Sequence, residues 1–480
     1  MARKNKNQEP AQISYFFGES YFDLGRTIKE SWKKNGSKIV GLWNEIGQVW
    51  IGENLYKAIC LLILRVAILI AVAVFGSIFT AIFSTIHIVL LFTLMILVYV
   101  GFVVLKFIDT VFCVFKGLGN NCYNPGCERK FRLPIYVCPK CHAYHYRLVP
   151  SKYGILKRKC NCGEKLPTTF FNGRQKLDSL CPHCQSPVIK GAHRSLLIPV
   201  VGGANAGKTC YVTMAIKKIE DIAQDFGLNF EYQYVAGDEY QENVKRMENG
   251  LYPQKTNDLA FKYYNFFLSS KNDKTKNLIS VCDIAGEVFA NQDALMRQQG
   301  YRFADGMVVV IDPLSISEFK NELKKKLSPQ EFQALNASTQ PIGDVLSGLI
   351  NTMEGLYHVD AKKTIKKTIV VVFTKCDIKG LDERIGATAI NQYLAQNKDS
   401  SFCDASNELC ERFLAEYGEN SFLNTVKGKF SDVQFFTCSA LGHNDSGKKF
   451  TSINVEQPLL WLIDKTSKAI DLSTVWGKKL

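Results

Sequence analysis

The 480-residue sequence predicts an α/β fold: a mainly parallel P-loop NTPase sheet with helices on both faces, preceded by a transmembrane helical hairpin and a small zinc-ribbon module. Three observations lead there. From residue 195 onward, apolar β-branched runs alternate with helical patterns, and the first run opens into Gly202-x-x-x-x-Gly207-Lys208-Thr209. Residues 66–105 are forty positions without a formal charge. Eight of the sixteen cysteines fall as close pairs between Cys122 and Cys184.

A chain of this length is expected to hold more than one domain. The composition divides it into an amphipathic N-terminal region (1–56), the hairpin (57–111), the cysteine-rich module (112–194) and the nucleotide domain (195–480). Residues 1–12 are polar and read as disordered. From 13 to 53 the pattern is amphipathic and includes Trp32, Trp43 and Trp50. It suits an interfacial helix on lipid or a helical hairpin packed on another domain. The polar N-terminus does not read as a cleavable signal peptide, which leads to the expectation that the soluble parts face the cytosol.

A bilayer crossing takes about 20 apolar residues, whereas forty in one helix would run ~60 Å, about twice the hydrocarbon thickness. Two spans are therefore expected, with the turn in 76–85, where Ser77, Thr80 and Ser84 gather. Lys57 and Arg65 flank one end, and Lys106 and Lys116 the other. Positive charge on both sides predicts a multi-pass membrane protein with its N-terminus and nucleotide domain in the cytosol. His87 reads as an interfacial residue.

The cysteine pairs are Cys122/Cys127, Cys138/Cys141, Cys160/Cys162 and Cys181/Cys184. A short cysteine turn supplies two of the four ligands of tetrahedral Zn²⁺, so four turns make two closed structural sites. Joining 122/127 with 138/141 and 160/162 with 181/184 closes the shorter loops. The interleaved arrangement stays open. His142, His145 and His183 read as surface residues, because eight cysteines suffice. The net charge of +14 is concentrated here: residues 112–194 hold fifteen Lys and Arg against three Asp and Glu, including Lys157-Arg158-Lys159. Beside a membrane such a surface meets anionic lipid headgroups. Nucleic acid is the other anionic partner it could take.

The glycine-bounded loop follows a strand pattern and precedes a helical one, the context in which its backbone N–H groups cradle phosphates. Gly202, Asn205 and Gly207 shape the loop, Lys208 bridges the outer phosphates, and the Thr209 hydroxyl ligates Mg²⁺. A later apolar strand ends in Asp283-Ile284-Ala285-Gly286-Glu287. Asp283 can reach Mg²⁺ through water, and the Gly286 backbone N–H can meet a γ-phosphate. Thr374-Lys375-Cys376-Asp377 closes another strand. There Asp377 can accept both the N1–H and the exocyclic amine of guanine, a pair that adenine does not offer, while the Lys375 stem covers the base. After the next strand, Ser439 and the Ala440 backbone N–H face the guanine oxygen.

Together these residues resemble the translation-factor-related (TRAFAC) class of GTPases over about 195–470. The family consensus has Asn where this chain has Thr374. The resemblance implies GTP with Mg²⁺, a first-switch Thr for which Thr256 is the candidate, and a water-orienting residue at Glu287. With a carboxylate there, slow intrinsic hydrolysis is expected. An activating protein would supply an arginine, or Arg297 or Arg302 would act in cis. The spacings, 81 residues from Gly202 to Asp283 and 91 from Asp283 to Thr374, leave room for inserted helices. With the cysteine module and membrane segment, the chain looks like the bacterial double-GTPase group, associated with defence or conflict systems. That implies a molecular switch with a protein effector. An ATP-driven membrane motor, a zinc-ribbon nucleic-acid binder regulated by its GTPase and a membrane-remodelling GTPase are the rival readings.

Overall fold

The computed structural model describes residues 9–49, 54–122, 124, 127–191, 193–234, 239–253, 261–270, 276–284, 303–357, 363–378, 380–442, 450–467, 470 and 472. The chain divides into two compact units, Met1–Lys116 with Ile135–Leu180, and Gly117–Pro134 with Cys181–Leu480. The cysteine-rich stretch therefore contributes to both.

In the first unit, helix α1 (Glu19–Gly47) lies antiparallel along helix α2 (Leu55–Phe115). Phe17 packs on Tyr99 and Phe102, Asn35 donates to Ser77 Oγ at 3.0 Å, and Arg65 donates to the Glu45 carbonyl. The amphipathic N-terminal stretch thus packs on another helix, though Trp43 stays 66% exposed.

The expected turn in 76–85 is absent. α2 runs unbroken for 61 residues, widened to a π-helix at Val72–Gly76. Of the hydroxyls that suggested a turn, that of Thr80 is absorbed by the helix itself, donating to the Gly76 carbonyl, and that of Ser77 accepts from Asn35 on α1. Gly76 serves helix contact instead, since a Cβ there would lie 2.9 Å from Asn35 Oδ1. One continuous helix replaces the two-span hairpin, and the reasoning that set both ends on the cytosolic side loses its basis. α2 alone among the described helices is long and apolar enough to cross a membrane.

Residues 9–12, expected to be disordered, are ordered. Glu9 pairs with Arg158 at 2.8 Å, and Ala11 forms a bridge with Cys160. At the end of α2, buried Asp109 accepts from the Phe170 N–H at 2.7 Å and pairs with Arg174 at 2.9 Å. Two arginines of the basic segment are therefore consumed internally rather than displayed.

The second unit is built on a seven-stranded sheet. Its strands are β1 (His193–Gly202), β2 (Leu228–Tyr232), β3 (Phe261–Ser270), β4 (Lys276–Ile284), β5 (Gly306–Ile311), β6 (Ile365–Phe373) and β7 (Phe430–Thr437). Their order is β7-β6-β5-β1-β4-β3-β2. All neighbours are parallel except β3, which runs against both β4 and β2.

Alternate residues of each central strand face opposite cores. Ile198, Val200, Val308 and Val370 pack under helices α3 (Lys208–Ala223) and α11 (Glu456–Thr466). Leu197, Val201, Val309 and Val371 pack against α5 (Ser317–Lys326), α7 (Ile342–Tyr357) and α9 (Phe402–Glu416). Between α3 and β3 lies α4 (Tyr240–Glu248). α6 (Pro329–Ala334), α8 (Ala387–Gln396) and α10 (Asn420–Lys429) complete the described helices. Burial on both faces explains why these strands read as continuous apolar runs.

Candidate functional site

The carboxyl ends of β1, β4, β5, β6 and β7 share one edge: Val200 aligns with Asp283, Gly202 with Val310, Ile311 with Phe373, and Phe373 with Thr437. β1 is where connections leave in both directions, and in open parallel sheets the crevice at such a switch point receives ligands.

The phosphate loop spans this edge. Asn205 (φ 61°) and Gly207 (φ 87°) take the left-handed conformation that turns the chain into α3, whose first residue is Lys208. The Lys208 ammonium, 7% exposed, donates to the carbonyls of Gly202 at 2.9 Å and Gly203 at 2.8 Å. It sits inside the loop, where outer phosphate oxygens would be met.

Thr209 Oγ1 donates to Asp283 Oδ2 at 2.7 Å. Asp283 is 1% exposed, and its Oδ1 has no hydrogen bond among the described residues. Burial pushes its carboxyl up, while Lys208, the Thr209 hydroxyl and Lys262 pull it back in part. A buried carboxylate oxygen without a donor, beside a threonine hydroxyl, fits Mg²⁺ or a water bound to it. Thr209 and Asp283 are the residues that would hold the ion.

Thr374 replaces the consensus Asn without breaking the link to the loop. Its Oγ1 donates to the Ala206 carbonyl at 2.8 Å. Lys375 (φ 58°) carries its ammonium to Asp312 Oδ2 at 2.8 Å and to the Asn336 carbonyl at 2.8 Å. Ser439 Oγ donates to Asp377 Oδ1 and accepts from the Gly442 N–H at 2.8 Å, which fixes the carboxylate on its loop. Asp377 and Ser439 line a recess with Asp382, Ala387 and Asn454. Ala440 follows, 6% exposed. Thr256, Gly286, Glu287, Arg297 and Arg302 lie outside the described residues.

Two site residues were missed. Asp312 follows β5 directly, and a carboxylate at a strand end before Pro313 was a readable signal. Gln340 meets the loop at Ala204 from an inserted segment, and its sequence context offers no signal.

The cysteines form two clusters in which each sulfur set lies within 4.8 Å: Cys122, Cys127, Cys181 and Cys184 in the second unit, and Cys138, Cys141, Cys160 and Cys162 in the first. Sulfur separations of 3.3–3.8 Å between facing turns (Cys122–Cys184, Cys127–Cys181, Cys138–Cys162 and Cys141–Cys160) approach the ~3.8 Å edge of a tetrahedron with 2.3 Å Zn–S bonds. Burial pushes the Cys160 thiol up to about 12, a cost that a bound cation would offset.

The favoured pairing of sequence neighbours is overturned: the outer turns meet each other and the inner turns meet each other. Pairing of Ile135 with Leu180 returns the chain to where it left, so the long loop is already closed before a metal joins its ends. His142 and His183 are exposed, but His145 is fully buried against Glu9. The Tyr263 hydroxyl donates to Glu128, beside the outer cluster, and Tyr263 pairs in register with Cys282, one residue before Asp283.

Zinc in these clusters gives a discriminating stoichiometry. Elemental analysis of purified protein should find two Zn²⁺ per chain, and one in Cys122→Ser. The double variant Cys122→Ser/Cys181→Ser should retain one, whereas Cys122→Ser/Cys138→Ser should retain none. The neighbour pairing would reverse the two double variants.

The sheet order and the glycine-bounded loop at its central strand give the domain the architecture of a P-loop nucleotide-binding fold. Residues 196–408 match the profile of the family described as Double-GTPase 2. No curated protein matches the chain. Among solved structures, the chain is similar to the S. cerevisiae Ski7 GTPase-like domain bound to GTP, at 12% identity over 58% of this chain and 51% of that one, with a TM-score of 0.29. It is also similar to Methanosarcina barkeri Roco2 RocCORdC bound to GDP, at 11% identity over 59% and 52%, with a TM-score of 0.23. The chain spans about half the length of these structures.

Proposed function

We propose that this chain is a membrane-anchored switch that binds and slowly hydrolyses GTP. The observation that carries the reading is the convergence of Lys208, the Thr209–Asp283 pair, Thr374 and the Ser439-bound Asp377 on one edge of the sheet. Lys208 and the loop N–H groups would hold the phosphates, and Thr209 with Asp283 would hold Mg²⁺, which neutralises charge on the transferred phosphoryl group. Asp377 would select guanine. The segments carrying Thr256, Gly286 and Glu287 would read the γ-phosphate and present the result to an effector protein.

α2 would cross the membrane once. Its support is the outward apolar surface: Phe79, Phe83, Phe92 and Phe107 are each more than half exposed. The exposed lysines of the basic segment, such as Lys157 and Lys159, would meet anionic headgroups. The guanine assignment is tested on full-length protein in detergent by displacing labelled GTP with unlabelled GTP or ATP. Unlabelled GTP should compete at least ~100-fold better. Equal displacement by ATP would make the chain an ATP-using protein instead.

A further inference from the structure

The segment between β5 and α7 reaches back over the phosphate loop, and what it does there builds on the GTP reading above. Asp312, 1% exposed, anchors it. Its Oδ1 accepts from the Leu314 N–H at 2.9 Å, and its Oδ2 from the Ser338 N–H and the Lys375 ammonium, both at 2.8 Å. Lys375 also donates to the carbonyls of Leu335 and Asn336. Residues 335–338 are thus pinned to the end of β5 and to the strand end that carries Asp377.

Two residues further on, Gln340 Oε1 accepts from the Ala204 N–H at 3.2 Å. The contact is close all along. A Cβ on Gly203 would stand 2.9 Å from Ser338 Oγ and 3.1 Å from Gln340 Oε1. The same stretch of loop, through the Gly202 and Gly203 carbonyls, holds the Lys208 ammonium. An outer phosphate that Lys208 engages therefore lies beside Ala204. A carboxamide whose oxygen is fixed on the Ala204 N–H carries its two N–H donors about 2 Å away, at the same end of the loop.

We propose that Gln340 is a specificity-determining residue that distinguishes the triphosphate from the diphosphate, with its Nε2 donating to a γ-phosphate oxygen while Oε1 stays on the loop. The residue sits on a segment fixed by Asp312, so it presents a standing donor to the terminal phosphate. A hydrogen bond to a charged oxygen is among the stronger ones, and its loss weakens binding about tenfold or more.

The test uses full-length protein in detergent with Mg²⁺, measuring Kd for GDP and for a non-hydrolysable GTP analogue by displacement of a fluorescent nucleotide. Gln340→Ala should weaken the analogue ~10-fold and leave GDP within about twofold. Gln340→Glu, whose carboxylate would face the γ-phosphate, should weaken the analogue further. Gln340→Asn keeps the carboxamide one methylene short, and should fold while losing the discrimination. An analogue-to-GDP ratio that stays constant across the three variants overturns the proposal and reduces Gln340 to a tether, leaving the GTP reading intact. Wild-type protein that binds neither guanine nucleotide overturns both.

Discussion

Asp377→Asn is expected to exchange the base preference of the protein, lowering GTP affinity by ~100-fold or more and raising affinity for xanthosine triphosphate. The carboxylate is an acceptor only, so it suits the two adjacent N–H donors of guanine. An amide in its place sets its own NH₂ against the guanine amine, a buried donor–donor conflict that costs about 2–3 kcal/mol. Xanthine carries a carbonyl where guanine carries that amine, and the amide can donate to it. Ser439 donates to the carboxylate and is itself tied to the Gly442 N–H, so the loop should survive the change. Equilibrium binding of the two fluorescent nucleotides reads the swap directly. Loss of both affinities without any gain for the xanthine form would mean that Asp377 holds the loop rather than the base.

Lys208→Ala should remove nucleotide binding altogether at micromolar concentrations. The ammonium is nearly buried within the loop and makes two bonds to its carbonyls. Toward a triphosphate it would make charge-assisted bonds in a site of low effective dielectric, each about 1.5–3 kcal/mol. Two of them amount to a loss of ~10²–10⁴ in affinity. Circular dichroism should keep its shape while the melting temperature falls, because the variant leaves the carbonyls of buried Gly202 and Gly203 without their donor. Retained GTP binding in this variant would take the loop out of the site.

Much of the nucleotide unit was legible because its signals are local. β1, β4, β5 and β6 are buried on both faces, and such strands must be apolar along their length, so their residues announce them. The strand ends were legible for a related reason: polar residues that break an apolar run, as at Asp283, Thr374 and Asp377, have few purposes there other than chemistry. Asp312 belonged to the same pattern and was passed over.

What escaped depended on partners distant in sequence. The hydroxyls of Ser77 and Thr80 look turn-like until the Asn35 amide and the Gly76 carbonyl that take them up are considered, and Gly76 is a contact surface only because Asn35 lies across it. Loop length alone favoured joining neighbouring cysteine turns, yet the strand pairing of Ile135 with Leu180 had already brought the distant turns together. Glu9, in the polar N-terminal stretch, and Arg158, 149 residues further on, gave no hint that they are each other's partner. Gln340 meets the loop from 136 residues away.

The nesting of one cysteine cluster within the span of the other bears on how the chain is made. A ribosome delivers residues in order, so Cys138, Cys141, Cys160 and Cys162 are all in hand while Cys122 and Cys127 still await Cys181 and Cys184. The inner set, whose partners stand 19 and 24 residues apart, can capture its ion first. The outer set, with partners 54 and 62 residues apart, closes only as the last knuckle emerges, shortly before β1 begins at His193. Were zinc the occupant, the inner site would be complete before the outer one could form.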